Sequence, residues 1–436
     1  MKKLHFIILL ALWPLLTMGK GILIQNVVIF DGKNPETITG NIWIEDNVIR
    51  KVSAGPITVG EDVEVIDGHG KFLMPGLIDA HWHAYLAANT MVDLLTAHAS
   101  YTQLRAGQEA GRTLLRGFTT IRDAGGPVFG LKRAIDEGLL LGPRIYPSGA
   151  IITETGGHGD FRMVYDIPQP FDCCGLTHTE KIGAAMVADG VDAVTVAARN
   201  NLRLGASQIK LMAGGGVSSL YDQLEDVQYF EDELHAAVMA ANDAGTYVMV
   251  HVYVPEAIRR AIKAGVKSIE HGQLIDEPTM KLIAEKGVWL SMQPFIGEGN
   301  NHYSNPQQQA KHELVVQGTE NAYKLAKKYG VKLAWGTDLL FNPANAKNQN
   351  LNIEKMTRWF SNYEILKMIT HDNAELLSLS GRRNPYPGTL GVIEEGALAD
   401  LIIVDGNALQ DIKVLTEPEK NMLLIMKNGK VYKNNL

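Results

Sequence analysis

The sequence predicts an α/β fold: a (β/α)8 TIM barrel with a small β-sandwich domain built from both chain ends. Three observations predict it. Across residues 76–384, short apolar runs alternate with helical patterns, which implies a parallel sheet. Eight such runs suit one barrel, a fold of roughly 250 residues. Both chain ends instead carry short β patterns punctuated by turn pairs such as Asp31-Gly32 and Asp67-Gly68.

Composition narrows the class before any motif is read. The chain has 436 residues, 46% hydrophobic and 20% charged, which is ordinary globular usage and excludes a disordered chain. The net charge of −7 leaves no basic footprint for a nucleic acid. Two cysteines are too few for a disulfide scaffold or a Cys-rich zinc module.

Lys2 and Lys3 precede an apolar run from Phe6 to Leu16. A basic start followed by a short apolar core predicts a secretory signal over residues 1–20, with cleavage near Gly19 and a periplasmic or secreted product. The run is shorter than the ~20 residues of a membrane span. Residues 21–75 hold the first β patterns, among them Ile22-Leu23-Ile24 and Val63-Glu64-Val65-Ile66. Residues 385–436 return to that texture, as in Leu401-Ile402-Ile403-Val404, so the two ends are expected to pair in one domain.

The eight expected barrel strands are residues 77–83, 119–124, 144–149, 208–213, 247–253, 268–271, 288–293 and 332–338. Helical segments are expected between most of them, as at 231–244, 255–264 and 319–328. An open doubly wound sheet is the rival, but no G-x-G-x-x-G follows the first strand. Long connections follow the third strand (150–178), the seventh (294–313) and the eighth (339–352). On a barrel these lie at the rim where active sites form.

The chemistry-bearing residues sit at strand ends. His81 and His83 close the first strand and point the same way, because strand side chains alternate faces. Lys210 lies in the apolar run Ile209-Lys210-Leu211-Met212, where a buried amine is costly unless paired or modified. His251 ends the fifth strand, His271 the sixth and Asp338 the eighth. Taken singly, each could be a satisfied core residue; together they predict one metal-binding cluster. Tyr253 shares the face of His251, and His158 sits in a Gly-rich turn that allows close backbone approach.

Met74-Pro75-Gly76-Leu77-Ile78-Asp79-Ala80-His81-Trp82-His83 resembles the first-strand signature of the metal-dependent amidohydrolase superfamily. Ser268-Ile269-Glu270-His271-Gly272 and Gly336-Thr337-Asp338 resemble its sixth and eighth strands. Thr155-Gly156-Gly157-His158-Gly159 and the run from Ile209 to Val217 resemble the Xaa-Pro dipeptidase branch, near the imidazolonepropionase-like proteins. The resemblance spans nearly all of the chain after residue 20.

That resemblance implies two divalent metal ions, usually zinc. His81, His83 and Asp338 would hold one ion, and His251 and His271 the other. Lys210 would bridge them as a carbamate formed with carbon dioxide, because a plain amine offers one donor and a carbamate two anionic oxygens. A bridging hydroxide would attack the amide, with Asp338 passing the proton to the leaving nitrogen. His158 and Tyr253 would contact the substrate, polarising its carbonyl or holding its carboxylate; each could instead be a hydrogen-bonded rim residue. The two ions, carbamate, Asp338 and hydroxide sum to +1, which favours a substrate with a nearby carboxylate.

The expected partner is therefore a small-molecule amide or dipeptide (Xaa-Pro-like), or an N-acyl amino acid. No nucleic acid and no stable membrane insertion are expected; a homo-oligomer is left open. The competing function is a deaminase or cyclic-amide hydrolase, against which Lys210 argues, since mononuclear deaminases on this fold generally lack the bridging lysine. A non-catalytic binding protein should have lost ligands, and all six positions are filled. Other residues carry less. Asp123 reads as structural, Arg199 and Arg203 as surface residues with a carboxylate contact as the alternative, and His302 and His312 in the seventh loop as solvated, with a lid role as the alternative. Cys173-Cys174 could form a vicinal disulfide, stay free or pair between chains. Gly214, Gly215 and Gly216 either make room for the leaving group or form a tight turn.

Overall fold

The computed structural model describes residues 21–60, 62–166, 175–297, 303 and 305–436. Residues 1–20, where the secretory signal is expected, Cys173-Cys174 and His302 lie outside the described residues. Seventeen strands run through the described chain. The first four are β1 (Ile22–Phe30), β2 (Thr37–Glu45), β3 (Val48–Ser53) and β4 (Glu64–Pro75). Next come β5 (Leu77–Trp82), β6 (Phe118–Asp123), β7 (Arg144–Pro147), β8 (Ile151–Thr153) and β9 (Ala185–Val187). Then follow β10 (Ile209–Met212), β11 (Val248–Val252), β12 (Ser268–His271), β13 (Trp289–Met292) and β14 (Leu333–Trp335). The last three are β15 (Leu401–Val404), β16 (Met422–Lys427) and β17 (Lys430–Asn434).

Strands from both chain ends form one seven-stranded sheet, ordered β17-β16-β15-β4-β1-β2-β3. The middle strands form two further sheets, β5-β6-β7 and β14-β13-β12-β11-β10-β8-β9. Every pairing in these two is parallel. β5, β6, β10, β11, β12 and β13 are buried along their whole lengths. A charge inside such a buried strand, as at Arg122, Lys210 or Glu270, is therefore informative. The two parallel sheets are bonded to each other at two places. Asp338 N–H donates to the His81 carbonyl at 2.8 Å, and Ser207 N–H donates to the Pro147 carbonyl at 2.7 Å.

All eight expected middle strands are present. Two differences concern the connections. Two extra short strands, β8 in the long third loop and β9 just beyond it, extend the larger sheet past β10. The helix expected at 319–328 begins much earlier, at Pro306, and runs to Tyr329. Asn305 caps it by accepting from Gln307 N–H, and Pro306 fits the first turn, where no backbone donor is needed. That early start matters, because its first turns reach the rim. Elsewhere the helices follow simple rules. Helix Glu231–Ala244 opens with three acidic residues at its positive end, and Pro255–Ala264 opens on proline. No helix among the described residues is long and apolar enough to cross a membrane.

Candidate metal centre and active site

His81, His83, Lys210, His251, His271 and Asp338 all line one cavity of about 230 Å³. His158 and Tyr253 line it too. Sequence positions far apart thus converge because most lie near or beyond the C-terminal end of a parallel strand, with Lys210 deeper inside β10. The strand register sets their depth. Met212 lies beside His251 and Val252 beside His271, while Lys210 shares the face of Met212 one pleat deeper.

Two of these residues occupy backbone conformations that non-glycine residues avoid. His271 has φ 77° and Asp338 φ 52°. Such left-handed positions are retained where the surroundings over-determine them, and they concentrate at functional sites. Asp338 is held from both directions. Its own N–H bonds His81, and the preceding Thr337 donates through Oγ1 to Asp79 Oδ2 at 2.7 Å. Gly336 lets the eighth strand approach this closely: a Cβ there would sit 2.4 Å from His81 Cβ.

Each imidazole has one nitrogen already committed. His81 Nδ1 donates to Glu270 Oε2 at 2.7 Å, and His83 Nδ1 donates to the Gly125 carbonyl at 3.0 Å. His271 Nδ1 donates to Gln293 Oε1 at 2.6 Å. His251 differs, because its Nε2 faces the Gly215 carbonyl at 3.2 Å. The remaining lone pairs are therefore Nε2 on His81, His83 and His271, and Nδ1 on His251. Such tautomer fixing by a partner at the other nitrogen is what a metal-ligating histidine requires.

The charge states agree. Burial, helped by Lys210, pushes the His81 imidazole down to about 4, and burial holds His251 and His271 well below the usual range. Neutral imidazoles are the ligating form. Burial alone would raise Asp338, but His81, His83 and His271 hold its carboxyl well below the usual range. Burial pushes the Lys210 amine down to about 8, against the pull of Glu270 and Asp338. Among the described residues, Lys210 has no hydrogen-bond or ion-pair partner.

The donor set fits a divalent ion on one direct observation. His81 Nε2 is buried and has no hydrogen-bond partner. It faces Asp338 Oδ1 at 3.4 Å, with His83 Nε2 3.2 Å from the same oxygen. Ligand atoms of His81, His83 and Asp338 lie within 4.8 Å of one another. The rings of His251 and His271 lie 4.3 Å apart beside them.

The support beneath His81 went unrecognised in the sequence. Arg122 and Glu270 are both fully buried, with Arg122 Nη2 2.6 Å from Glu270 Oε2. Glu270 Oε2 thus accepts from both Arg122 and His81, while Oε1 accepts from Ser268. The available signal was a charged residue inside each of two expected barrel strands. Asp123 is structural as expected: it accepts Ala84 N–H at 2.8 Å and Gly125 N–H at 3.1 Å, and burial pushes it up to about 7. Arg199 and Arg203 are exposed and do not line the cavity. His312, expected in solvent, is instead buried and lines the cavity, its ring 5.6 Å from Tyr303 and 6.2 Å from Phe295. The early helix start carries it there.

The glycine run has a steric cause. A Cβ on Gly216 would lie 2.0 Å from His158 Cε1, and one on Gly215 would lie 1.6 Å from the Gln223 carbonyl oxygen. The run therefore makes room for the His158 ring and a loop carbonyl. Gly216→Ala is expected to displace His158 while the metal-ligand set is untouched. Metal analysis should show unchanged content, and kcat/KM should fall by about tenfold or more.

Residues 72–432 match the model of the amidohydrolase family. This chain belongs to that family. As an amidohydrolase it is a hydrolase acting on carbon–nitrogen bonds. It is similar to ochratoxinase of Aspergillus niger, 32% identical over 376 residues, which are 83% of this chain and 75% of the relative. A crystal structure of another amidohydrolase superposes with TM-score 0.87 at 37% identity, covering 96% of this chain and 100% of that one. A prolidase complexed with N-methylphosphonate-L-proline superposes with TM-score 0.86 at 34% identity, covering 95% and 100%.

Proposed function

We propose that this amidohydrolase is a two-metal enzyme cleaving the amide bond of a dipeptide, Xaa-Pro-like, or of an N-acyl amino acid. The observation that carries this is the convergence of six ligand-type side chains on one cavity, with His81 Nε2 buried and unpartnered. His81, His83 and Asp338 would hold one ion, His251 and His271 the other, and a carbamate on Lys210 would join them. An amine pushed down to about 8 presents the neutral nitrogen that reacts with carbon dioxide. Zinc suits the mixed imidazole and carboxylate donors. When bound, the ions supply Lewis acidity to the carbonyl and acidify water.

The chain's own groups do the rest. Asp338, held ionised, takes the proton of the attacking water and returns it to the departing nitrogen. Burial raises the Tyr253 hydroxyl well above its usual range, so it remains a donor for the substrate oxygen. Phe161, Phe341 and Leu339 on one side, and Val217 and Phe295 on another, offer apolar walls for the side chains flanking the bond. Lys210 is the only Lys or Arg among the described lining residues, so a substrate carboxylate would rely on the metal centre, His158 and Tyr253.

The two parallel sheets, bonded to each other after β14 and before β10, support a closed (β/α)8 barrel over residues 76–384. A small β-sandwich from residues 21–75 and 385–436 is supported by the bond from Ile49 N–H to the Ala397 carbonyl at 2.9 Å, which brings the β3 edge to the segment entering β15. Export rests on Lys2, Lys3 and the apolar run that follows them.

The metal-loaded protein should hydrolyse members of a panel of Xaa-Pro dipeptides and N-acyl amino acids, read by amine release. Release of ammonia from a heterocycle, or opening of a cyclic amide, with no action on the panel would contradict the reading. Tyr253→Phe should keep full metal content and lose about 10²-fold in turnover. Loss of metal instead would place Tyr253 in the scaffold.

A further inference from the structure

We propose that Asp222 is the positioning residue of His158: it fixes a proton on Nδ1 and leaves Nε2 for the cavity. The proposal rests on reading His158 as a substrate contact. Its parts come from three separate connections. His158 follows β8, Asp222 follows β10, and Lys311 lies on the helix Pro306–Tyr329 after β13.

Asp222 is 1% exposed. Its Oδ2 accepts Gly216 N–H at 3.0 Å and Gln228 Nε2 at 3.1 Å, and the Ser219 hydroxyl donates to Oδ1. Ser219 Oγ also lies 2.8 Å from His158 Nδ1. A hydroxyl has one proton to give. With that proton committed to the carboxylate, Ser219 Oγ can only accept, and Nδ1 must donate. Asp222 Oδ2 itself lies 3.6 Å from Nδ1 and acts in the same sense. Nδ1 keeps its proton whether the ring is neutral or charged, so Nε2 is the nitrogen left for the substrate.

The ring is also held in place. It stacks on His251 at 4.1 Å and 18°, with Gly216 against its edge. Gln228 grips both ends of the arrangement, accepting His158 N–H at 3.1 Å while donating to Asp222. Lys311, 7% exposed, donates to the carbonyls of Gly216 at 3.1 Å, Ser219 at 3.3 Å and Asp222, and lies 3.6 Å from Asp222 Oδ1. Its three protons fasten the loop that carries the carboxylate. Gln308 Nε2, one turn earlier, bonds the Ser218 carbonyl of the same loop. The early start of this helix thus ties the fourth-strand loop to His158.

The test uses the full metal-loaded enzyme with Asp222→Asn, His158→Ala and the double variant. Asp222→Asn should keep metal content and lose about 10–100-fold in kcat, the usual cost of removing such an outer partner. The double variant should be no worse than His158→Ala, because Asp222 acts through that ring. Asp222→Glu should recover part of the loss. Wild-type kcat in Asp222→Asn while His158→Ala is impaired would overturn the proposal, as would losses that multiply in the double variant. ¹⁵N NMR of the wild-type His158 ring supplies a second readout, independent of turnover and of whether Asp222→Asn folds. A proton on Nδ1 supports the proposal, and a neutral ring protonated on Nε2 overturns it. Wild-type turnover in His158→Ala would strike the substrate-contact reading alone, and the NMR result would still decide how the ring is set.

Discussion

Lys210→Ala is expected to leave at most one divalent ion per chain and to cut kcat/KM by roughly a thousandfold or more, since the paired ions are worth several kcal/mol to charge development. Lys210 is 1% exposed in a strand whose other members are apolar. It has no partner among the described residues, although an unpaired buried ammonium is costly. Burial already moves its amine down to about 8. A lysine so placed would be stabilised as the proposed carbamate. In the alanine variant, His81, His83 and Asp338 still offer a single-ion site, so partial metal content is expected rather than none. Elemental analysis of dialysed protein, alongside kcat/KM on the best dipeptide found, checks this. Two ions per chain with wild-type turnover would remove Lys210 from the centre.

Arg122→Met should destabilise the fold by about 3–5 kcal/mol, the scale of a buried charge stripped of its partner. Arg122 and Glu270 are both inaccessible and lie 2.6 Å apart. Arg122 also donates to the Ala80 carbonyl at 2.5 Å and contacts the Tyr247 hydroxyl at 3.2 Å. Removing it leaves Glu270 ionised, buried and satisfied only by His81, Ser268 and the field of Lys210. Because Glu270 sets the His81 tautomer, metal affinity should fall as well, by about 10–100-fold. Denaturant unfolding of the metal-free protein separates the two effects. Adding Glu270→Gln to Arg122→Met should recover part of the stability but not the metal affinity. Wild-type stability in the single variant would show that the ion pair contributes little.

The site was legible where chemistry sat inside an apolar pattern. Lys210 stood out because Ile209, Leu211 and Met212 around it are apolar, and the histidines and Asp338 stood out by recurring at the ends of expected strands. The middle strands were legible from their alternation with helical patterns. Partners across strands were not. Arg122 and Glu270 lie in different strands, and nothing in either run says which strand it will face. Asp222, Lys311 and His312 were hidden for another reason: loops carry no periodicity, and the helix from Pro306 starts thirteen residues before the segment its pattern predicts. The glycine run at 214–216 was read with two meanings, and only the placement of His158 shows what it leaves room for.

Anomalous diffraction from crystals of the wild-type protein grown with zinc and bicarbonate tests the account most directly. The account predicts two metal peaks in the cavity, one against His81, His83 and Asp338 and one against His251 and His271. It also predicts density for a carboxylated Lys210 reaching both. A single peak, or a bare Lys210 amine beside two ions, would contradict it.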